Sequence, residues 1–238
     1  MTPVTNASVP VLSAAAGLHL ASYRADHVDE RVRRALERER VETVDELVGV
    51  LHNDSAARTR FRRSVAVSVS GLFRDPPQFE LLEREILPAL LESPHRIRVW
   101  SAGCADGTEL YTVATLLERL GAHDRAFLLG SDVLDENLER ARAGVYTDAT
   151  IDNAVKARVR WERRDLVREG APAGSWNLVL CRNVAIYLAP EAKRRLHRTL
   201  AGALARGGFL IVGRSERLNE LGDLQLQRVA PHVYRSSR

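Results

Sequence analysis

The sequence predicts an α/β protein: a small helical segment, then an open, mostly parallel sheet of seven strands that ends in an antiparallel hairpin. Three observations carry that expectation. From about residue 13 to 70 the apolar spacing is helical and no strand pattern interrupts it. From residue 97 onward short apolar runs alternate with helical stretches, the arrangement of a parallel sheet covered on both faces. The chain then closes on two short alternating segments, 224–229 and 232–235, separated only by Ala230 and Pro231, which is too little chain for anything but antiparallel pairing.

The elements follow in order. Residues 1–12 are small and polar with two prolines and read as a loose tail. Residues 13–74 read as a basic helical domain. Its first long helix has Val28, Val32, Ala35 and Leu36 as an apolar stripe, with Arg31, Arg34 and Arg38 as a separate stripe. Thr43 followed by Glu46 is a capping box, with Val44, Leu47, Val48 and Leu51 behind it. Residues 75–238 read as the sheet domain. Pro76 and Pro77 open a helix whose apolar positions include Phe79, Leu82 and Ile86. Strands are expected near 97–101, 126–131, 158–162, 176–181 and 208–213, with helices near 107–120, 135–143 and 190–205. Gly207 and Gly208 suit the end of the last helix.

Composition narrows the class. At 238 residues the chain has room for one sizeable domain and a smaller one. No apolar run approaches the roughly 18 residues of a spanning helix, and no charged start leads into an apolar signal region, so a cytoplasmic protein is expected. Cys104 and Cys181 each end a buried strand, which argues against a disulfide framework. Seven histidines lack metal spacing, and no zinc, nucleophile-elbow or P-loop pattern is present; His19, His27 and His52 are expected to be solvated. The net charge of +4 comes almost wholly from arginine, since Lys156 and Lys193 are the only lysines, and arginines cluster at 31–40 and 58–63, which favours acidic partners.

The chemistry concentrates at the carboxyl ends of the strands. Arg98 to Tyr111, R-V-W-S-A-G-C-A-D-G-T-E-L-Y, is a strand, a small-residue turn with Gly103 and Gly107, and a helix start. That arrangement makes nucleotide sites, since glycine lets the backbone approach a ligand closely. The turn lacks the G-x-G-x-x-G that seats a pyrophosphate, and Glu109 stands where the phosphate would dock. A carboxylate repels phosphate but suits an amino group and a sulfonium, the two cations of S-adenosylmethionine. The alternative is an ordinary βα turn with a solvated glutamate.

Other positions carry the same two-sided reading. Asp132 ends the second strand, where it would accept ribose hydroxyls; Asp135 reads as the better cap of the next helix. Asp165 and Leu166 follow the third strand, with Asp165 either near an adenine amino group or paired to Arg163 or Arg164. Arg74, in S-V-S-G-L-F-R-D, either clamps a ligand carboxylate or pairs with Asp75. Arg182 and Asn183 end the fourth strand in L-V-L-C-R-N-V-A-I-Y-L and do not read as core. Tyr187 either presents its hydroxyl at that edge or packs as an aromatic.

Taken in order, S-V-S-G-L-F-R-D, R-V-W-S-A-G-C-A-D-G-T-E-L-Y-T, G-S-D-V-L-D-E-N-L-E-R-A, L-C-R-N-V-A-I-Y-L and G-G-F-L-I-V-G-R-S-E resemble the motifs of the chemotaxis receptor (CheR-type) protein-glutamate O-methyltransferases, from about Gly17 to Arg235. The resemblance implies a Rossmann-like class I methyltransferase sheet and methyl transfer from S-adenosylmethionine to glutamate side chains, leaving S-adenosylhomocysteine. It places the cofactor at Ser70, Arg74, Ala102, Gly103, Glu109, Asp132, Asp165, Leu166, Arg182 and Asn183. It also puts Tyr187 beside the reaction centre; on that basis Tyr187 and Arg182 are expected to orient the acceptor carboxylate, and the lack of ligand spacing predicts no metal. Arg31, Arg34 and Arg38 would face an acidic helical substrate such as a chemoreceptor cytoplasmic domain.

The chain departs from the family pattern at several points. It has Ser70, Leu72 and Phe73 where threonine and a double phenylalanine are usual. Thr108 replaces the first acid of G-E-E-P-Y-S, and Asp165 replaces an asparagine. Only eleven residues separate Tyr146 from Arg158, too few for the three-stranded insert with which many relatives tether a receptor tail. Tail tethering is therefore not expected. Two other readings stay open: a methyltransferase acting on RNA or a small molecule, and a non-catalytic cofactor-binding docking module. Nucleic acid is the less favoured partner, because Phe61 is the lone aromatic among the clustered arginines.

Overall fold

The computed structural model describes residues 8–67, 76–147 and 149–238. The chain divides into two compact units, Met1–Ser68 with Tyr187–Arg195, and Val69–Ile186 with Leu196–Arg238.

The first unit is helical. Its elements are α1 (Ser8–Ala16), a short 3₁₀ turn at Leu20–Ser22, α2 (Ala25–Glu39), α3 (Val44–Asn53) and α4 (Ser55–Val65). Leu12 is fully buried on α1, so residues 8–12 are not the tail that their composition suggests; an apolar residue every third or fourth position outweighs the local prolines. Val28, Val32 and Ala35 form the buried stripe of α2. Thr43 and Glu46 make the capping box reciprocally, and Asp54 caps α4 by accepting the N–H groups of Ala56 and Ala57.

The segment Tyr187–Arg195 belongs to this unit rather than to the sheet domain in which the linear sequence places it. Backbone pairing is the reason. Arg24 N–H donates to the Tyr187 carbonyl and Ala189 N–H to the Ser22 carbonyl, around a Tyr23–Leu188 bridge. His27 is half-buried here, not solvated. Its Nε2 lies 2.9 Å from the Val65 carbonyl, and its ring packs 5.1 Å from that of Tyr187.

The second unit begins with α5 (Pro76–Leu81), which passes through a π turn (Leu82–Ile86) into α6 (Leu87–Leu91). Pro88 has no N–H to give the preceding turn, which accounts for the altered ladder there. Then come β1 (Ile97–Ala102), α7 (Thr108–Arg119), β2 (Ala126–Asp132), α8 (Asp135–Ala143), α9 (Asn153–Arg158), β3 (Val159–Arg163), β4 (Trp176–Cys181), the part of α10 (Pro190–Ala203) from Leu196 onward, β5 (Leu204–Val212), β6 (Leu226–Ala230) and β7 (Val233–Ser236). The seven strands lie in the order β3-β2-β1-β4-β5-β7-β6; β1 to β5 are parallel, and β7 runs antiparallel to both neighbours. The α/β expectation therefore holds strand by strand.

Strands β1 and β4 are buried almost throughout, as central parallel strands must be. Chain order reverses between them, so the crevice at their carboxyl ends is the ligand edge of such a sheet. One boundary differs from expectation. The last helix stops at Ala203, and Gly207 and Gly208 lie inside β5, where the register against β4 shifts. Gly207 takes φ +67°, and a Cβ on Gly208 would sit 2.8 Å from the Trp176 carbonyl, so both glycines serve a bulge. Between Tyr146 and β3 the described residues hold only an isolated Val145–Thr150 bridge and α9.

Candidate functional site

The site is built from four strand ends of the second unit. After β1, Gly103 and Cys104 both donate backbone N–H groups to the Ser131 carbonyl at the end of β2, which ties the two strand ends together. Gly103 (φ +76°) and Gly107 (φ +84°) hold the left-handed conformations of the turn. Their immediate constraint is other protein atoms rather than a ligand. A Cβ on Gly103 would lie 2.5 Å from Val184 Cγ2, and one on Gly107 2.4 Å from Trp161 Cη2. Gly103→Ala is expected to raise the dissociation constant of S-adenosylhomocysteine about tenfold, because strain and steric displacement act together at the turn. Calorimetric titration of the folded variant checks it.

Glu109 is in the first turn of α7 with its side chain 15% exposed. Its Oε1 accepts the Ser101 hydroxyl at 2.8 Å, and its Oε2 lies 3.3 Å from Arg182 Nη1. Burial pushes the Glu109 carboxyl above its ordinary value, against the opposing pull of Arg182 and Ser101. Arg182, 7% exposed, also lies over the Phe79 ring at 5.2 Å. The alternative of a solvated glutamate at an ordinary turn does not hold.

Asp132 is buried at the end of β2. Its Oδ2 accepts Ala105 N–H at 2.9 Å, and its Oδ1 accepts Leu134 N–H at 2.9 Å and Asn137 Nδ2 at 3.1 Å. Burial raises this carboxyl too, with the three donors pulling the other way. Asp135 is not the cap of α8; it is exposed in the first turn and pairs with Arg163, while Asp132 takes the amide at the helix start. A carboxylate offers about four acceptor positions, so Oδ2 retains capacity beyond its one backbone donor.

Asp165 turns its Oδ1 to the N–H groups of Val167 and Arg168, so it shapes its own loop. It pairs with neither neighbouring arginine: Arg163 goes to Asp135 and Arg164 to Glu162. Leu166 is buried, with its Cδ1 3.8 Å from the Cβ position of Gly103. Ala102, Gly103, Glu109, Asp132, Leu166, Arg182 and Asn183 thus gather at one edge. Ser70 and Arg74 lie outside the described residues. Tyr187 clusters with the helical unit.

Arg34 pairs with Glu30, and Arg38 with Glu39, whereas Arg31 has no ion pair among the described residues. Sequence reasoning missed Glu216, a buried carboxylate that accepts four backbone N–H groups at this edge, and Asp106, buried beside Thr108 and Arg140. The sequence signal for Glu216 is its place as the last residue of the motif G-G-F-L-I-V-G-R-S-E, shortly after an apolar strand. For Asp106 it is its position inside the glycine turn. Asp106 also bears on Thr108, since an acid at that position would meet a second buried carboxylate.

The donor set fits an adenosine cofactor with a cationic end. Two buried carboxylates, Glu109 and Asp132, face the turn, and Gly103 lets that turn pack against Val184. Among the described residues no His/Cys/Asp/Glu cluster has metal-holding geometry, and no helix is long and apolar enough to cross a membrane.

The chain matches the family model "CheR methyltransferase, SAM binding domain" over residues 68–154 and 148–232. It is 29% identical to a chemotaxis protein methyltransferase of Listeria monocytogenes, over 92% of this chain and 91% of that one. It is 27% identical to chemotaxis protein methyltransferase 1 of Pseudomonas aeruginosa, over 91% of each, and 29% identical to a chemotaxis protein methyltransferase of Vibrio parahaemolyticus, over 79% of this chain and 80% of that one. With its sheet topology and the family match between residues 68 and 232, the chain belongs to the CheR methyltransferase family, and its cofactor is S-adenosylmethionine.

Proposed function

We propose that this protein methylates glutamate side-chain carboxylates of an acidic helical protein, a chemoreceptor cytoplasmic domain or a related signalling protein, in the cytoplasm and without tethering to a receptor tail. The observation that carries the reading is the buried Glu109–Arg182 pair at the crossover of β1 and β4, in a chain of this family. A carboxylate at that turn suits a cationic cofactor end and opposes a pyrophosphate.

When bound, S-adenosylmethionine supplies an activated methyl group on a sulfonium. The residues assigned to hold it are Ser70, Arg74, Ala102, Gly103, Glu109, Asp132, Asp165, Leu166, Arg182 and Asn183. Asp132 would take ribose hydroxyls, Asp165 the adenine amino group, and Arg74 the carboxylate of the methionine moiety. An acceptor glutamate is already ionised at pH 7, so the chain needs no strong base. Arg182 and Tyr187 are assigned to orienting that carboxylate, and the surrounding apolar side chains to excluding water. Alignment of this kind can contribute about 7–11 kcal/mol.

Arg31, Arg34 and Arg38 are assigned to docking the acidic helix. The Arg34–Glu30 pair is exposed and screened by solvent, so an acidic partner can displace it, while Arg38 pairs with the largely buried Glu39, which also holds Arg60. The lack of room for three strands before β3 supports the absence of a tether.

The test is label transfer from methyl-labelled S-adenosylmethionine to chemoreceptor cytoplasmic fragments with and without their tails. The expected label is released by mild alkali, as a carboxyl methyl ester requires, and appears at equal rates on both fragments. Alkali-stable label, or label on RNA alone, would refute the assignment; a rate that depends on the tail would refute the untethered mode.

A further inference from the structure

The loop after β4 presents the backbone amides of Asn183, Val184 and Ala185 to one buried group. Glu216, 1% exposed, accepts Asn183 N–H on Oε2 at 2.7 Å, and Val184 and Ala185 N–H on Oε1 at 3.0 and 2.7 Å. Gly213 N–H donates to Oε2 from the end of β5 at 2.8 Å. Asn183 sits at φ +62°, the left-handed conformation that helps successive amides form a concave anion-holding nest. Gly213 leaves the room: a Cβ there would lie 2.8 Å from Glu216 Oε2 and 2.9 Å from the Asn183 nitrogen. His232 Nδ1 donates to the Glu216 carbonyl at 2.8 Å, which anchors the carboxylate's own backbone to the β6–β7 hairpin.

The consequence reaches the cofactor turn. Val184, held by this clamp, is the side chain that lies against Gly103. We propose that Glu216 is a positioning residue of the methyl-transfer site. It acts through residues 183–185, setting Asn183 in its left-handed conformation and Val184 against the β1–α7 turn, without touching cofactor or acceptor. The inference rests on the reading of Gly103 and Asn183 as cofactor-edge residues. The clamp is charge-assisted throughout, and a neutral amide cannot reproduce it, because a glutamine presents its Nε2 to two of the four N–H groups whichever way it turns.

The experiment is calorimetric titration of the full-length Glu216→Gln variant with S-adenosylhomocysteine, at a temperature where circular dichroism shows it folded. The dissociation constant is expected to rise about tenfold or more, since two amides lose their acceptor. Trp176→Phe, at the opposite end of β4, is the control for general destabilisation and should leave affinity unchanged. Val184→Ala combined with Glu216→Gln should cost less than the sum of the two, because both act through one contact. In the wild type, hydrogen exchange at the Val184 and Ala185 amides should be slow.

Wild-type affinity in folded Glu216→Gln, additive losses in the double variant, or fast exchange at those amides would each overturn the inference. If Glu216→Gln does not fold, Glu216→Asp decides: it keeps the charge but is one methylene too short for all four donors, so weaker binding supports the clamp and unchanged binding overturns it. Failure of the wild type to bind S-adenosylhomocysteine would remove the site reading itself, and the inference with it.

Discussion

Asp132→Ala is expected to raise the dissociation constant of S-adenosylhomocysteine by about 100-fold or more, the loss of two charge-assisted hydrogen bonds to ribose. The proposed contacts are only part of the effect. The same carboxylate holds Ala105 in the turn after β1, and Leu134 and Asn137 at the start of α8. Removing it frees both walls of the crevice at once. Asp132→Asn separates the contributions. It keeps one acceptor oxygen for the turn and loses the charge, so it should fall between the wild type and the alanine variant. Equal binding by the wild type and both variants would take Asp132 out of the site.

Arg182→Ala is expected to lower turnover about 100-fold at saturating cofactor, the usual cost of a misaligned reacting group. It should also destabilise the protein at neutral pH by up to about 3–5 kcal/mol, because Glu109 is left buried without its partner. The pH dependence follows from Glu109. Burial holds its folded pKa above the unfolded value, so its contribution to stability is fully present below the unfolded pKa and is lost as pH rises through the folded one. Without the Arg182 charge the folded pKa rises further, and the window of loss extends to higher pH. Affinity for the cationic cofactor should run the other way, failing on acidification at a higher pH than in the wild type. Thermal melts and titrations across pH 4–8 read both limbs; coincident profiles for wild type and variant would show that Glu109 does not depend on Arg182.

The sheet was legible because burial on both faces leaves uninterrupted apolar runs, as at Val99–Trp100 and Leu178–Leu180, and turn residues punctuate them. The Thr43–Glu46 box was legible because capping is local. What escaped depends on long-range pairing. Glu216 is flanked by Arg214, Ser215 and Arg217 in sequence, and its donors at 183–185 arrive only when β4 and β5 pair. Residues 187–195 read as part of the sheet domain because the Tyr23–Leu188 bridge leaves no pattern in either segment. Asp135 does not cap α8 as expected, because it lies inside the first turn, whereas Asp132 at the end of β2 reaches the Leu134 N–H just before the helix and the Asn137 side chain. Gly207 and Gly208 look like a helix stop, but the bulge they serve exists only against the Trp176 carbonyl.

The most direct measurement is mass-spectrometric mapping of a chemoreceptor cytoplasmic fragment after incubation with this protein and S-adenosylmethionine. The account predicts a gain of one methyl group on glutamate side chains along an acidic helical stripe, absent with Asp132→Ala and strongly reduced with Arg182→Ala. Methylation confined to lysines or the chain terminus, or an unmodified fragment despite tight cofactor binding, would contradict it.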